Sequence, residues 1–282
     1  VLPELDILEL TILIFLGALV AGFLGSLTGL GGGVVIVPLL ALLFGIDIRY
    51  AIGASLISVI ATSCGAAAAY VKEGYSNLHL GMFLEIATTF GALAGAFYAA
   101  KVSTGAIAVI FGLVLLLSAF LEIRPRRAQS GSEHPDPIAV RLKMDSSYPS
   151  PDGPQPYHVQ AVPLGFSLMF VAGTLSGLLG IGSGSIKVLA MDRVMRLPFK
   201  VSTTTSNFMI GVTAAASAGV YLNRGYIDPG LAMPVMLGVL VGSFAGTRVL
   251  VSTGTRLLRI VFVVVIVLLA VEMIYNGWTG RL

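Results

Sequence analysis

Long apolar runs, broken by short polar or glycine-rich intervals, occupy both ends of the chain, with one extended polar interval between them. A helix rises about 1.5 Å per residue and the hydrocarbon core of a bilayer is about 30 Å thick, so runs of about 20 residues are candidates to span it. The first half offers Ile7 to Leu24, Gly33 to Phe44, Tyr50 to Val71, Leu78 to Ala100 and Gly105 to Leu121. The second half offers Val162 to Leu178, Ser185 to Met195, Val201 to Leu222, Pro229 to Val251 and Thr255 to Tyr275. In each half the second run is too short to cross unless the preceding glycines join it. Short, glycine-interrupted segments at matching places in two halves point to a transport site.

The matching holds residue by residue. One constant offset carries Ala21, Gly22, Leu24, Leu27, Gly29, Gly31 and Gly33 onto Ala172, Gly173, Leu175, Leu178, Gly180, Gly182 and Gly184. Without a gap it also pairs Ser55 with Ser206, Thr62 with Thr213, Tyr70 with Tyr221, Gly91 with Gly242 and Thr104 with Thr255. This is an internal duplication, and it predicts two copies of one unit around a pseudo-symmetry axis. The expected organisation is a first transmembrane repeat over 1–122, a linker over 123–160 and a second transmembrane repeat over 161–282.

Composition fixes the solvent. Hydrophobic residues make up 56% of the chain and charged residues 11%, a balance that a water-exposed surface does not tolerate. The net charge of +3 sits in short loops, which reads as membrane topology and not as a nucleic-acid surface. The single Cys64 cannot form an internal disulfide and leaves the redox compartment open. Residues Val1 to Leu10 carry Glu4, Asp6 and Glu9 with no Lys or Arg, unlike the basic start of a cleavable signal peptide, so the first segment is expected to be retained. In the linker, Ile138 to Met144 and Tyr157 to Val162 are expected to pair as a small hairpin, and His134 and His158 read as solvated loop residues.

Charge then selects a topology. If the first two segments of each half form a hairpin that enters and returns on one side, the halves are inverted. Lys72, the linker cations Arg124, Arg126, Arg127, Arg141 and Lys143, and Arg193, Arg196, Lys200, Arg248, Arg256 and Arg259 then share one face, against Arg49, Lys101, Arg224 and Arg281. A single broken crossing would make the halves parallel and split the same charges evenly. The positive-inside rule favours inversion, with a cytoplasmic linker and the N-terminus outside. The glycine-tipped hairpins would then meet near the midplane.

Unwound backbone is tolerated at membrane depth only where protein or a water-filled cavity covers it, so Gly29, Gly31, Gly32 and Gly33 are expected to line an interior site. Glycines let a ligand touch main-chain N–H groups, and the following helix presents its positive end, which suits an anion. The second copy reads Gly182-Ser183-Gly184-Ser185-Ile186-Lys187 and adds two hydroxyls and a full positive charge. A lysine at membrane depth costs at least about 2.5 kcal/mol, so an anionic ligand or a carboxylate partner is expected beside it. The competing reading is that the glycines only allow close helix packing. The spacing does not fit a phosphate-binding Gly-x-x-x-x-Gly-Lys-Ser/Thr loop, and no βαβ context surrounds it.

Ser206, Thr213 and Ser217 share one helical face, which Ser55 and Thr62 repeat in the first half, while Asn207 adds an amide at a polar helix start. Any one such hydroxyl can simply bond back to its own helix. Arg49 and Lys200, in register at segment ends, read equally as snorkelling cations. Glu85 is the only carboxylate well inside a first-half segment, and its counterpart is Met236. It is a candidate for proton coupling or for pairing with a cation.

The glycine cluster with Pro38, the matching Gly180-Ile181-Gly182-Ser183-Gly184, and the run from Leu197-Pro198-Phe199-Lys200 to Ser206-Asn207-Phe208-Met209-Ile210-Gly211-Val212-Thr213 resemble the TauE/SafE family of membrane permeases. The resemblance covers both halves and the linker. It implies a secondary transporter exporting sulfite or organosulfonates across a bacterial inner membrane. The second copy departs from the pattern at Ser183 and at Leu189, where the first copy has Gly32 and Pro38.

The expected protein is therefore an all-α polytopic membrane protein of two inverted repeats with about five helical segments each. It would carry a small anion by alternating access, between Gly29, Gly31, Gly32 and Gly33 on one hairpin and Gly182, Ser183, Gly184, Ser185 and Lys187 on the other. Ser55, Thr62, Ser206, Asn207 and Thr213 would complete the coordination. No cofactor, metal site, catalytic residue or nucleic-acid partner is expected. The expected partners are the lipid bilayer, the anion and a coupling proton or ion, with the oligomeric state open. The alternatives are an anion channel, a carrier of another small anion such as a carboxylate, and, further off, an intramembrane enzyme.

Overall fold

A computed structural model describes residues 6–26, 32–72, 74–123, 136–149, 153–252 and 255–281. Every apolar run is a helix. The first half contains α1 (Ile7–Ser26), α2 (Gly33–Pro38), α3 (Ile48–Lys72), α4 (Leu78–Ala99) and α5 (Thr104–Ile123). After a short linker helix, α6 (Pro137–Arg141), the second half repeats the order as α7 (Val162–Leu179), α8 (Gly184–Leu189), α9 (Phe199–Asn223), α10 (Pro229–Ser252) and α11 (Thr255–Thr279).

The two short helices share an irregularity. Helix α2 continues as a π-helical turn over Leu39–Leu43, and α8 does so over Ala190–Val194. Six residues plus five reach only about 16 Å, roughly half of the hydrocarbon thickness. Pro38, which lacks an N–H to donate, stands at the first junction, but Leu189 stands at the second. The π turn therefore does not depend on the proline.

Packing joins the halves reciprocally: α1 lies on α10, α4 on α7, α3 on α9 and α5 on α11. Exchanging the halves maps this set of pairs onto itself, as a pseudo-twofold requires. Glycine sets the closest crossings. A Cβ at Gly91 would run into the Phe170 carbonyl, at Gly95 into that of Thr174, at Gly173 into that of Thr88 and at Gly177 into that of Ala92. Residue numbers rise together along this pair, so α4 and α7 run in the same direction. Gly238 against Phe15 and Gly242 against Leu19 give α1 and α10 the same relation. The other two pairs run oppositely: Gly53 meets Tyr226 while Gly211 meets Ser63, and Gly105 meets Gly277 while Gly112 meets Ala270.

Among the described residues, six helices, α1, α4, α5, α7, α10 and α11, are long and apolar enough to cross a membrane. They carry large exposed apolar side chains, such as Phe90, Leu113, Phe170, Phe244 and Leu268. An all-α polytopic membrane protein results. Helices α3 and α9 are less apolar because they pack inside: Ser55 and Ser58 on one, and Ser202, Thr205, Ser206, Thr213 and Ser217 on the other, are almost fully buried. Their hydroxyls need no lipid-compatible face.

The linker differs from its expected form. Asp136 caps α6 by accepting from Ile138 N at 2.8 Å, and its other oxygen accepts from Val162 N at 2.9 Å. With Pro137 at the first helical position, this cap makes the stretch from Ile138 begin as helix and not as strand. The hairpin forms instead between β1 (Ser146–Tyr148) and β2 (Gln155–Tyr157). Asn77, at the start of α4, holds it by donating to Met144 O at 2.8 Å and to the Tyr157 hydroxyl at 2.9 Å. His158 reaches Asp145 at 3.1 Å, while His134 lies outside the described residues.

Candidate functional site

The two glycine bends meet. Gly33, at the start of α2, is so close to its neighbours that a Cβ there would come within 2.7 Å of Ser55 Oγ and 3.1 Å of the Gly180 carbonyl oxygen. Ser55 donates to that same carbonyl at 2.8 Å, tying α3 of the first half to the bend of the second. Gly182 packs between Val59 of α3 and Ile210 of α9. Gly32 packs against Val239 of α10. Gly29 and Gly31 lie outside the described residues.

The second bend turns through left-handed backbone at Gly180, Gly182 and Ser183 (φ of 68°, 71° and 48°). Glycine accommodates this without strain, whereas serine does not. Ser183 is 3% exposed, and its hydroxyl has no hydrogen-bond partner among the described residues. A buried polar group without a partner is costly. Ser206 reaches the Gly184 carbonyl at 3.5 Å.

One turn further on, Lys187 is completely buried. Its ammonium donates to Thr213 Oγ1 at 2.6 Å, and Thr213 Oγ1 lies 2.7 Å from Glu85 Oε1. The single Thr213 hydroxyl proton can go to that carboxylate or to the Met209 carbonyl at 2.9 Å. Thr89 adds a longer bond to Glu85 Oε1 at 3.3 Å, and Glu85 Oε2 has no partner among the described residues. Three helices, α8, α9 and α4, thus bring a cation, a hydroxyl and an anion into one line at the interior of the bundle. A groove of about 450 Å³ between α4 and α9 reaches Glu85 from the outer face, lined by Met82, Ile86, Thr89, Phe90, Phe208 and Val212.

Other expected ligands stand apart. Thr62 bonds back to its own helix, at Ser58 O (3.0 Å) and Val59 O (3.2 Å), as hydroxyls in helices commonly do. Ser185 and Asn207 are half-buried and take no part in the Lys187 line. Arg49 donates to Val102 O and lies over the Tyr226 ring, and Lys200 lies over Tyr75, so both serve helix ends. Spacing missed the bond between Thr213 and Glu85, because its partners stand in different halves. The signal available was that each is a polar residue well inside an apolar run.

Comparison with known proteins agrees with this architecture. The chain is 30% identical to the probable membrane transporter protein YunE of Bacillus subtilis (strain 168), over 96% of this chain and 99% of that protein. It is 27% identical to the probable membrane transporter protein YdhB of the same organism, over 84% and 87% of the two chains. It is 26% identical to the probable membrane transporter protein MJ0441 of Methanocaldococcus jannaschii, over 91% and 92%. No solved structure matches it. The family model described as sulfite exporter TauE/SafE matches residues 14–273, which takes in both glycine bends and the helices that bury Lys187 between them, and so this multi-pass membrane transporter belongs to the TauE/SafE family.

Proposed function

We propose that the chain is a secondary carrier of small sulfur-containing oxyanions, sulfite or organosulfonates, working by alternating access and in the direction of export. The observation that carries this reading is Lys187, a fully buried cation beside the meeting point of two glycine bends. Buried charge at membrane depth is expensive and is retained where it binds something. The orphan Ser183 hydroxyl and the Thr213 hydroxyl supply further donors of the kind that oxyanions accept from. The family description supports the choice of sulfur and of export.

The helix directions support an inverted relation between the repeats, since α3 and α9, and likewise α5 and α11, are counterparts that run oppositely. In that arrangement residues 1–122 and 161–282 are the two moving halves, and 123–160 forms a cytoplasmic linker in a bacterial inner membrane. The Gly182 to Lys187 bend holds the anion, with Gly32, Gly33, Ser55, Ser206 and Thr213 about it, and Gly29 and Gly31 are assigned to the same site from the sequence alone. Cations at both ends of the bundle fit this topology. Arg224 donates to the carbonyls of Ala96 and Phe97 at one end, while Lys200 covers Tyr75 at the other.

Purified protein in liposomes tests the reading. Uptake of labelled sulfite is expected to saturate and to show counterflow. Lys187→Met is expected to weaken sulfite binding about tenfold or more, which corresponds to the loss of about 1.4 kcal/mol or more. Flux without saturation would indicate a channel, and unchanged affinity in the variant would remove Lys187 from the site.

A further inference from the structure

Charge balance around Lys187 carries a second step, which rests on the anion-carrier reading. Among the described residues, Lys187 and Glu85 are the opposite charges that converge here, the ammonium at 2.6 Å and the carboxylate at 2.7 Å from the same Thr213 Oγ1. The surrounding elements offer no substitute among the described residues. Helix α7, packed along α4, contains no charged residue at all. On α9, Lys200 lies over Tyr75 and Arg224 is bonded to the far end of α4. Asp192 and Arg193, past the end of α8, are 3.5 Å from each other. His79, on α4 itself, is exposed. The ammonium and the carboxylate are therefore each other's counterion, joined through Thr213.

That pair is neutral as it stands. A monovalent anion added beside it would leave the interior with one uncompensated negative charge, where water cannot screen it. If the anion instead takes the place of the Glu85 carboxylate on Thr213 and Lys187, the displaced carboxylate faces hydrocarbon with no partner. One proton on Glu85 restores neutrality. The carboxylate has an oxygen ready for it, since among the described residues Oε2 has no partner while Oε1 holds the Thr213 bond.

We propose that Glu85 is a tethered internal anion that competes with the substrate for Lys187, so that each monovalent anion enters the site together with one proton from solution. The loaded site then holds ammonium, anion and neutral carboxyl, and the empty site holds ammonium and carboxylate. Both are neutral, so transport is electroneutral and responds to the pH gradient and not to the membrane potential. Where the inside is the alkaline side, export then runs down the anion's own outward gradient and carries a proton out with each anion.

Methanesulfonate is the probe of choice because it remains a monoanion throughout the working pH range, so any proton that moves is the protein's. In liposomes containing the wild type, methanesulfonate is expected to accumulate about tenfold per unit of imposed pH gradient. It is expected not to respond to a potassium diffusion potential. Glu85→Gln is expected to reverse this: the pH gradient stops driving accumulation, the potential begins to, and affinity at alkaline pH rises. Accumulation by Glu85→Gln that still follows pH would place the proton on another group and overturn the proposal. A second measurement needs no variant. Methanesulfonate added to the detergent-solubilised wild type in weak buffer is expected to draw one proton per anion bound, and binding without proton uptake would equally overturn it. If neither methanesulfonate nor sulfite binds the wild type, the carrier reading fails first and this inference falls with it.

Discussion

The two repeats share a backbone plan but not a chemistry. Lys187, Thr213 and Glu85 correspond to Ile36, Thr62 and Met236 in the opposite copy. Ile36 is fully buried, like Lys187, and Thr62 turns its hydroxyl back onto its own helix. The bends differ too. Gly32 takes an ordinary right-handed conformation (φ of −65°), whereas its counterpart Ser183 is left-handed (φ of 48°) with its hydroxyl unpartnered. Duplication supplied two equivalent sets of positions, and divergence left one set with Lys187 from the second half and Glu85 from the first while the other is apolar but for Thr62. The first half also braces the bend of the second, since Gly33 and Ser55 press on Gly180.

The largest expected effects come from what the copies share. Gly22 and Gly173 are counterparts, each pressed against the backbone of the partner helix, at Val239 and Thr88 respectively. Valine at either one should destabilise the bundle by about 3 kcal/mol through overpacking. Thermal melts in detergent should show similar losses for the two variants, and a loss confined to one would mean that the halves are not mechanically equivalent.

A smaller effect is expected where the copies differ. Ile36→Lys gives the first half a buried cation without a carboxylate, at a cost of at least about 2.5 kcal/mol. Adding Met236→Glu should recover part of that loss if the pseudo-symmetry extends to side-chain geometry. The double variant melting no higher than Ile36→Lys alone would show that it does not. The smallest effect is expected at the bend itself. Ser183→Gly should raise stability by about 1 kcal/mol, because glycine relieves the left-handed strain. The same change should weaken sulfite binding by removing the orphan hydroxyl, and a variant with unchanged affinity would reduce Ser183 to a turn residue.

Much of this was legible along the chain. The ten apolar runs coincide with ten helices to within a few residues, because helix length in a bilayer follows from hydrophobic length alone. The constant offset exposed the duplication, and the short second runs exposed the broken helices. The linker was less legible. Its pattern of alternating residues suggested strands at Ile138 to Met144, but the Asp136 cap and Pro137 started a helix there. A local cap outweighs a weak alternation when no sheet waits to receive it.

The sequence by itself determined that the chain lives in a membrane, that it is built twice from one unit, and that its second copy carries a lysine at membrane depth. These follow from local quantities: hydropathy, periodicity and residue identity. Only the tertiary structure decided which polar groups answer one another. Glu85 and Thr213 are far apart in the chain and belong to different halves, and their approach is fixed by α4 and α9 lying side by side. Thr62 and Thr213 look alike in the sequence, yet one serves its own helix and the other joins a cation to an anion. A hydroxyl takes the partner that folding brings to it, and a linear pattern holds no record of that distance.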